Sequence, residues 1–180
     1  MSEKIQPGFA IWLTGLPASG KSTLARNLKP VIRERYGAAQ ILDSDELRHI
    51  LTPKPTYMED ERDWFYSVIT FLAELLTNNG VNVVIAATAP RRMYREATRK
   101  CIRRFAEVYV DCSPEVCRHR DPKGLWKRAD KGEITNLPGA DAQYEAPISP
   151  EAHVVTTDLS PAEAANQVLH QLEEQGFFTL

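Results

Sequence analysis

Phe9-Ala10-Ile11-Trp12-Leu13-Thr14-Gly15-Leu16-Pro17-Ala18-Ser19-Gly20-Lys21-Ser22-Thr23 decides how this chain is read. An apolar run of strand length leads into a loop of the pattern GxxxxGK[ST], and apolar residues at helical spacing follow it, so the loop stands between a strand and a helix. Glycines at both ends let the backbone wrap an anion with successive N–H groups pointing inward, and the helix N-terminus adds positive partial charge. Lys21 can then reach the β- and γ-phosphates of a nucleoside triphosphate, and the Ser22 hydroxyl can ligate Mg²⁺. The whole loop, Gly15, Leu16, Pro17, Ala18, Ser19, Gly20, Lys21, Ser22 and Thr23, is the candidate ATP site.

Working outward, strand and helix alternate. Leu24, Leu28, Val31, Ile32 and Tyr36 mark a helix ending at Gly37, and Pro30 inside it predicts a kink or break. Gln40-Ile41-Leu42 reads as a second strand closed by Asp43-Ser44-Asp45. Trp64, Val68, Phe71, Leu72, Leu75 and Leu76 predict the inward stripe of a long helix stopped at Asn78-Asn79-Gly80. Val81 to Thr88 reads as a buried strand, and Pro90 opens a helix. On that helix Met93, Ala97, Cys101 and Phe105 form the predicted core stripe, with Arg91, Arg95, Arg99 and Arg103 as the predicted solvated face. Glu107 to Asp111 is a fourth strand, with a short helix from Pro114 to about Arg120. A fifth strand lies around Val154-Val155-Thr156, and a last helix carries a capping box at Ser160 and Glu163. The implied fold is α/β, a five-stranded parallel sheet covered on both faces, with ligands beyond the carboxyl ends of the strands.

The segment 121–150 is rich in Pro, Gly and charge and too long for an ordinary connection, which predicts a functional lid or binding loop. One domain spanning 1–180 is expected from the length. The 22 basic residues against 24 acidic ones give a net charge of -2, which supplies no general attraction to nucleic acid or an anionic membrane. Met1 to Gly8 lacks the apolar centre of a signal peptide and no run reaches membrane-spanning length, so the expected compartment is the cytoplasm. Cys101, Cys112 and Cys117 stand at no metal-site spacing and read as buried thiols.

The rim groups the phosphate loop with Asp43 to Arg48, Thr88 to Arg92 and the end of strand four. A carboxylate at Asp43 or Asp45 can hold Mg²⁺-bound water or take a proton from an attacking hydroxyl, and Arg48 can grip an anionic substrate. A helix-capping aspartate beside a surface arginine is the competing reading of the same residues.

Arg120-Asp121-Pro122-Lys123-Gly124-Leu125-Trp126-Lys127-Arg128-Ala129, Lys131-Gly132-Glu133-Ile134 and Tyr144-Glu145-Ala146-Pro147 closely resemble the lid of adenylylsulfate kinases, and Leu42-Asp43-Ser44-Asp45 with Arg48 also matches that family. The resemblance covers nearly the whole chain. It implies a P-loop kinase-like three-layer sandwich and transfer of the γ-phosphoryl group of ATP to the 3′-hydroxyl of adenosine 5′-phosphosulfate. It implies Asp45, Lys21 and Lys123 as catalytic residues, and Ser22 and Asp43 as Mg²⁺ ligands. Arg48, Tyr57, Arg62, Thr88, Ala89 and Leu137 would join Asp45 and Lys123 around the acceptor, with Tyr57 against the adenine. A homodimer is also implied, since members of the family are often dimers. The chain departs from the family's pattern at Ser44, Phe65, Ala89 and Leu137-Pro138, all on the acceptor side. Those departures keep open a related kinase acting on another nucleotide or sugar hydroxyl; a nucleotide-binding regulatory protein is the third reading.

Overall fold

The computed structural model describes residues 5–179. Its centre is β1 (Ala10–Thr14), buried at all five positions, flanked by β3 (Asn82–Ala86) and β4 (Phe105–Asp111), with β2 (Ala39–Asp43) and β5 (Ala152–Val155) outside them. All four pairings are parallel, and Ile11 lies between Val84 and Ala106 in register. Because successive side chains alternate across a strand, the sheet feeds two separate cores. Ile11, Leu13, Val84 and Val108 meet Leu24, Leu28 and Ile32 of α1 (Lys21–Tyr36) and Val168 and Leu172 of α7 (Pro161–Glu174). On the other face Trp12, Val83 and Ile85 meet Phe65, Tyr66 and Ile69 of α3 (Glu59–Asn78) and Tyr94 of α4 (Arg92–Cys101). The expected three-layer α/β arrangement is the one observed.

The chain leaves neighbouring strands β1 and β3 toward opposite faces, through α1 and α4 respectively. Connections that diverge this way open a crevice at the strands' carboxyl ends. Around it stand α2 (Ser44–Leu51), which follows β2, α5 (Pro114–Arg120), which follows β4, and α6 (Leu125–Asp130) within the lid segment. The lid carries this helix although its sequence shows little periodicity.

Four sequence expectations are corrected. α1 runs unbroken through Pro30. Pro30 and Arg26, whose carbonyl loses its partner there, are both exposed, so water can take that carbonyl and the helix continues. On α3 Phe65, Ile69 and Ala73 are buried, with Leu72 and Leu76 of the predicted stripe packed against the same core, while Trp64, Phe71 and Leu75 face outward. On α4 the buried residues are Tyr94, Arg95 and Thr98: Arg95 is 1% exposed and pairs with Glu107 of β4, whereas Met93 is exposed. Of the two predicted rows, Phe105 is buried and Arg103 exposed as expected. Cys101 is exposed too, and only Cys112 and Cys117 are buried thiols, burial pushing the Cys117 thiol up to about 12. A charged side chain can face inward when its neutralising partner waits there, which apolar periodicity alone does not register.

The α3 and α4 assignments set an expectation for stability. Ile69→Ala should cost about 2–5 kcal/mol, as buried aliphatic truncations do, whereas Met93→Ala, on the outward side of α4, should stay within about 0.5 kcal/mol in urea denaturation. Equal losses would contradict this packing.

Candidate active site

The phosphate loop is built as a cradle. A Cβ on Gly15 would lie 2.2 Å from the Val110 carbonyl, so no side chain fits there. Gly20 precedes α1 at φ 101, and α1 has no side-chain cap and no acid in its first turn. Its first N–H groups therefore face the crevice unopposed, the arrangement that receives phosphate. The loop is held from outside: Thr156 Oγ1 donates to the Ser19 carbonyl at 2.8 Å, and Trp126 Nε1 donates to the Pro17 carbonyl at 3.1 Å. Lys21 folds back and donates from Nζ to the carbonyls of Gly15 (2.9 Å) and Leu16 (2.7 Å). Burial lowers its pKa to about 8.

Beside the loop lies a cavity of about 810 Å³. Lys21, Ser22, Asp43, Asp45, Thr88 and Lys123 all line it. The buried Asp43 caps α2, its Oδ1 accepting from the Asp45 N–H at 2.9 Å. Asp45 is half-exposed and its carboxylate is ion-paired with Lys123 of the lid. The base candidate and the lid cation thus come together, although 78 residues separate them. The Ser22 hydroxyl and the Asp43 carboxylate line this same cavity, and two hard oxygen donors beside a phosphate cradle fit Mg²⁺, which takes its other ligands from water and phosphate.

A second cavity of about 350 Å³ is lined by Tyr57, Arg62 and Asn136 among others. Arg62 donates from Nε to the Tyr57 carbonyl (2.9 Å) and from Nη2 to the Asn136 carbonyl (2.6 Å), bridging α3 to the lid. Both carbonyls belong to left-handed residues, Tyr57 at φ 56 and Asn136 at φ 63. Arg48 lines neither cavity. It pairs with Glu61 at 3.0 Å and lies over the rings of Phe65 (3.9 Å to the centroid) and Tyr57 (4.9 Å). Its expected grip on a substrate anion is therefore already occupied by Glu61. Leu137 also departs from expectation: it is buried with Trp126, Cys112 and Cys117 in a small core under the lid. Ala89 is fully buried.

Sequence reasoning missed several supports of this site. Tyr144 places its hydroxyl 3.0 Å from Thr14 Oγ1, tying the lid's end to the start of the phosphate loop. Arg120 donates to the Thr156 carbonyl at 2.6 Å. Tyr144 and Trp126 stand inside the lid segments quoted above, but their partners are more than 100 residues away in the chain.

An uncapped helix behind a glycine-flanked loop, a carboxylate beside it and a lysine paired with that carboxylate are the arrangement of a P-loop phosphotransferase. Residues 7–155 match the model of the adenylylsulphate kinase family. A probable adenylyl-sulfate kinase of Pyrococcus abyssi is 41% identical over 170 residues, 94% of this chain and 98% of that protein. The adenylyl-sulfate kinase of Gloeothece citriformis is 40% identical over 172 residues, 96% and 98% of the two chains. Among solved structures, the Mycobacterium tuberculosis APS kinase in complex with AMPPNP and APS superposes with a TM-score of 0.85 at 34% identity, covering 93% and 98%. The chain belongs to the adenylylsulfate kinase family.

The buried Lys21 makes stability depend on pH in the ligand-free protein. Its folded pKa of about 8 lies below the ordinary lysine value of 10.5, so the unfolded chain binds more protons between those values. Stability contributed by this group therefore rises from about pH 8 to about pH 10.5. Lys21→Met should abolish that rise when urea midpoints of the two proteins are compared across the window.

Proposed function

We propose that this protein transfers the γ-phosphoryl group of ATP to the 3′-hydroxyl of adenosine 5′-phosphosulfate, giving 3′-phosphoadenosine 5′-phosphosulfate and ADP. The observation that carries the reading is the meeting of Asp45 and Lys123 at the phosphate cavity. The uncapped N–H groups of α1 and the loop hold the triphosphate, and Lys21 in its charged form balances the β- and γ-phosphates. Asp45 takes the proton from the acceptor hydroxyl as its oxygen bonds to the γ-phosphorus and the bond to the β-phosphate oxygen breaks. Lys123 exchanges Asp45 for the transferring phosphoryl oxygens, whose charge it offsets. Ser22 and Asp43 would hold Mg²⁺, which when bound offsets further phosphate charge. Tyr57 and Arg62 bind the acceptor at the second cavity, with Arg48 stacked behind Tyr57 to orient its ring. Thr88 contacts the acceptor from the wall of the larger cavity.

A second reading, a family member acting on another nucleotide or sugar hydroxyl, draws on the acceptor side. Phe65 and Ala89 are fully buried and offer that side no polar side-chain atom. ADP release from Mg-ATP with adenylylsulfate, then with other hydroxyl acceptors, separates the two. Adenylylsulfate-dependent release is expected, and its absence beside turnover of another acceptor would favour the second reading. In the same assay Asp45→Asn should lower turnover at least about 100-fold, the scale of a lost general base, with ATP binding nearly intact. Near-normal turnover would remove Asp45 from this role.

The working unit is residues 1–180 with 121–150 as its lid, acting in the cytoplasm. Among the described residues no helix is long and apolar enough to cross a membrane. A homodimer would find an apolar surface on α3, where Trp64 is 48%, Phe71 61% and Leu75 48% exposed. Light scattering should report a dimer that Phe71→Glu converts to monomer; a monomeric parent protein would rule this out.

A further inference from the structure

We propose that Tyr66 and Arg95 are positioning residues that clamp the loop after β3 in a strained shape and lock it to the end of the lid. The loop's turning point is Ala89, at φ 40. A residue with a Cβ is held in the left-handed region only where its surroundings over-determine it, and such positions concentrate at functional sites. Both polar groups of Ala89 are gripped by buried side chains. Its N–H donates to the Tyr66 hydroxyl at 3.0 Å, and its carbonyl accepts from Arg95 Nη1.

Arg95 does more than hold Ala89. It is 1% exposed, its Nε donates to the Glu107 carboxylate of β4, and its Nη2 donates to the Glu145 carbonyl at 2.7 Å. Glu145 returns the contact to the same loop, its N–H donating to the Pro90 carbonyl at 2.8 Å. Next to it, Tyr144 reaches Thr14 Oγ1, which donates to the Thr88 carbonyl at 2.6 Å. One planar guanidinium therefore fixes the sheet, the strained loop and the end of the lid against one another, a geometry that needs a fork of donors.

The loop matters because Thr88 and Asp45 line the same cavity. The clamp thus sets the wall facing the proposed base, and here the inference rests on the acceptor assignment made above. Freed from Tyr66, Ala89 would relax toward ordinary backbone angles and move that wall, while Thr14 stays fixed within β1 and the phosphate loop stays held by Thr156 and Trp126.

Tyr66→Phe removes one hydroxyl and keeps the ring that stacks on Tyr94 at 4.5 Å. KM for adenylylsulfate should rise about tenfold, the scale of a lost buried hydrogen bond, while KM for ATP stays within about twofold. Arg95→Lys, which keeps the charge opposite Glu107 and loses the fork, should raise the same KM selectively. Adding Ala89→Gly to Tyr66→Phe should restore most of the lost acceptor affinity, because glycine adopts positive φ without strain. A merely structural role would move both KM values together or show no rescue, and either result overturns the clamp. Amide exchange at Ala89 gives a readout without substrate: protection should fall at least about tenfold in Tyr66→Phe. Failure of the parent protein to turn over adenylylsulfate counts against the reaction proposed above; the clamp is then judged on exchange, where equal protection in both proteins overturns it.

Discussion

A helix that begins without a cap leaves donors that something must satisfy, and the rest of this molecule is arranged around that opening. At Gly20 no side chain closes α1, so its first N–H groups are available only to water or to an anion. Keeping them available requires a loop that cannot collapse onto them. Val110 excludes a side chain at Gly15, and Thr156, Trp126 and Lys21 occupy the loop's carbonyls. Phosphate recognition is therefore a property of β1, the strand beside it and two distant segments, expressed through one loop.

The ion pairs differ in what they can do, and burial decides which. Asp45 and Lys123 are each about half exposed, and a pair of that kind contributes only about 0–1 kcal/mol. Such a pair is held weakly enough for either partner to be exchanged, which is what the roles proposed for them would need. Arg95 and Glu107 are 1% and 7% exposed, and removing one partner of such a pair costs about 3–5 kcal/mol. That pair anchors α4 to β4. The weak contact lines the larger cavity, and the strong one is buried away from it.

The opening strand, loop and helix were legible because their signals are local: an apolar run, two glycines and a lysine at fixed spacing. The lid was legible for a different reason, its quoted segments matching a known family while its own periodicity hid α6. What misled was the assumption that apolar stripes face inward. Trp64, Phe71 and Leu75 face outward on α3, and on α4 the basic row supplies Arg95 to the core because Glu107 stands opposite it. Arg48 is paired with Glu61, 13 residues later, a partner that its own local sequence does not announce.

The sequence by itself determined the glycine-flanked loop between a strand and a helix, the alternation of strands and helices, and the family, because each is written in residues close together in the chain. Only the tertiary structure decided which side chains meet. Lys123 meets Asp45 across 78 residues and Tyr144 meets Thr14 across 130. Arg95 turns inward to hold Ala89 and Glu145. A charged side chain takes its role from the partner and the burial it finds, and both are set by which strands lie side by side.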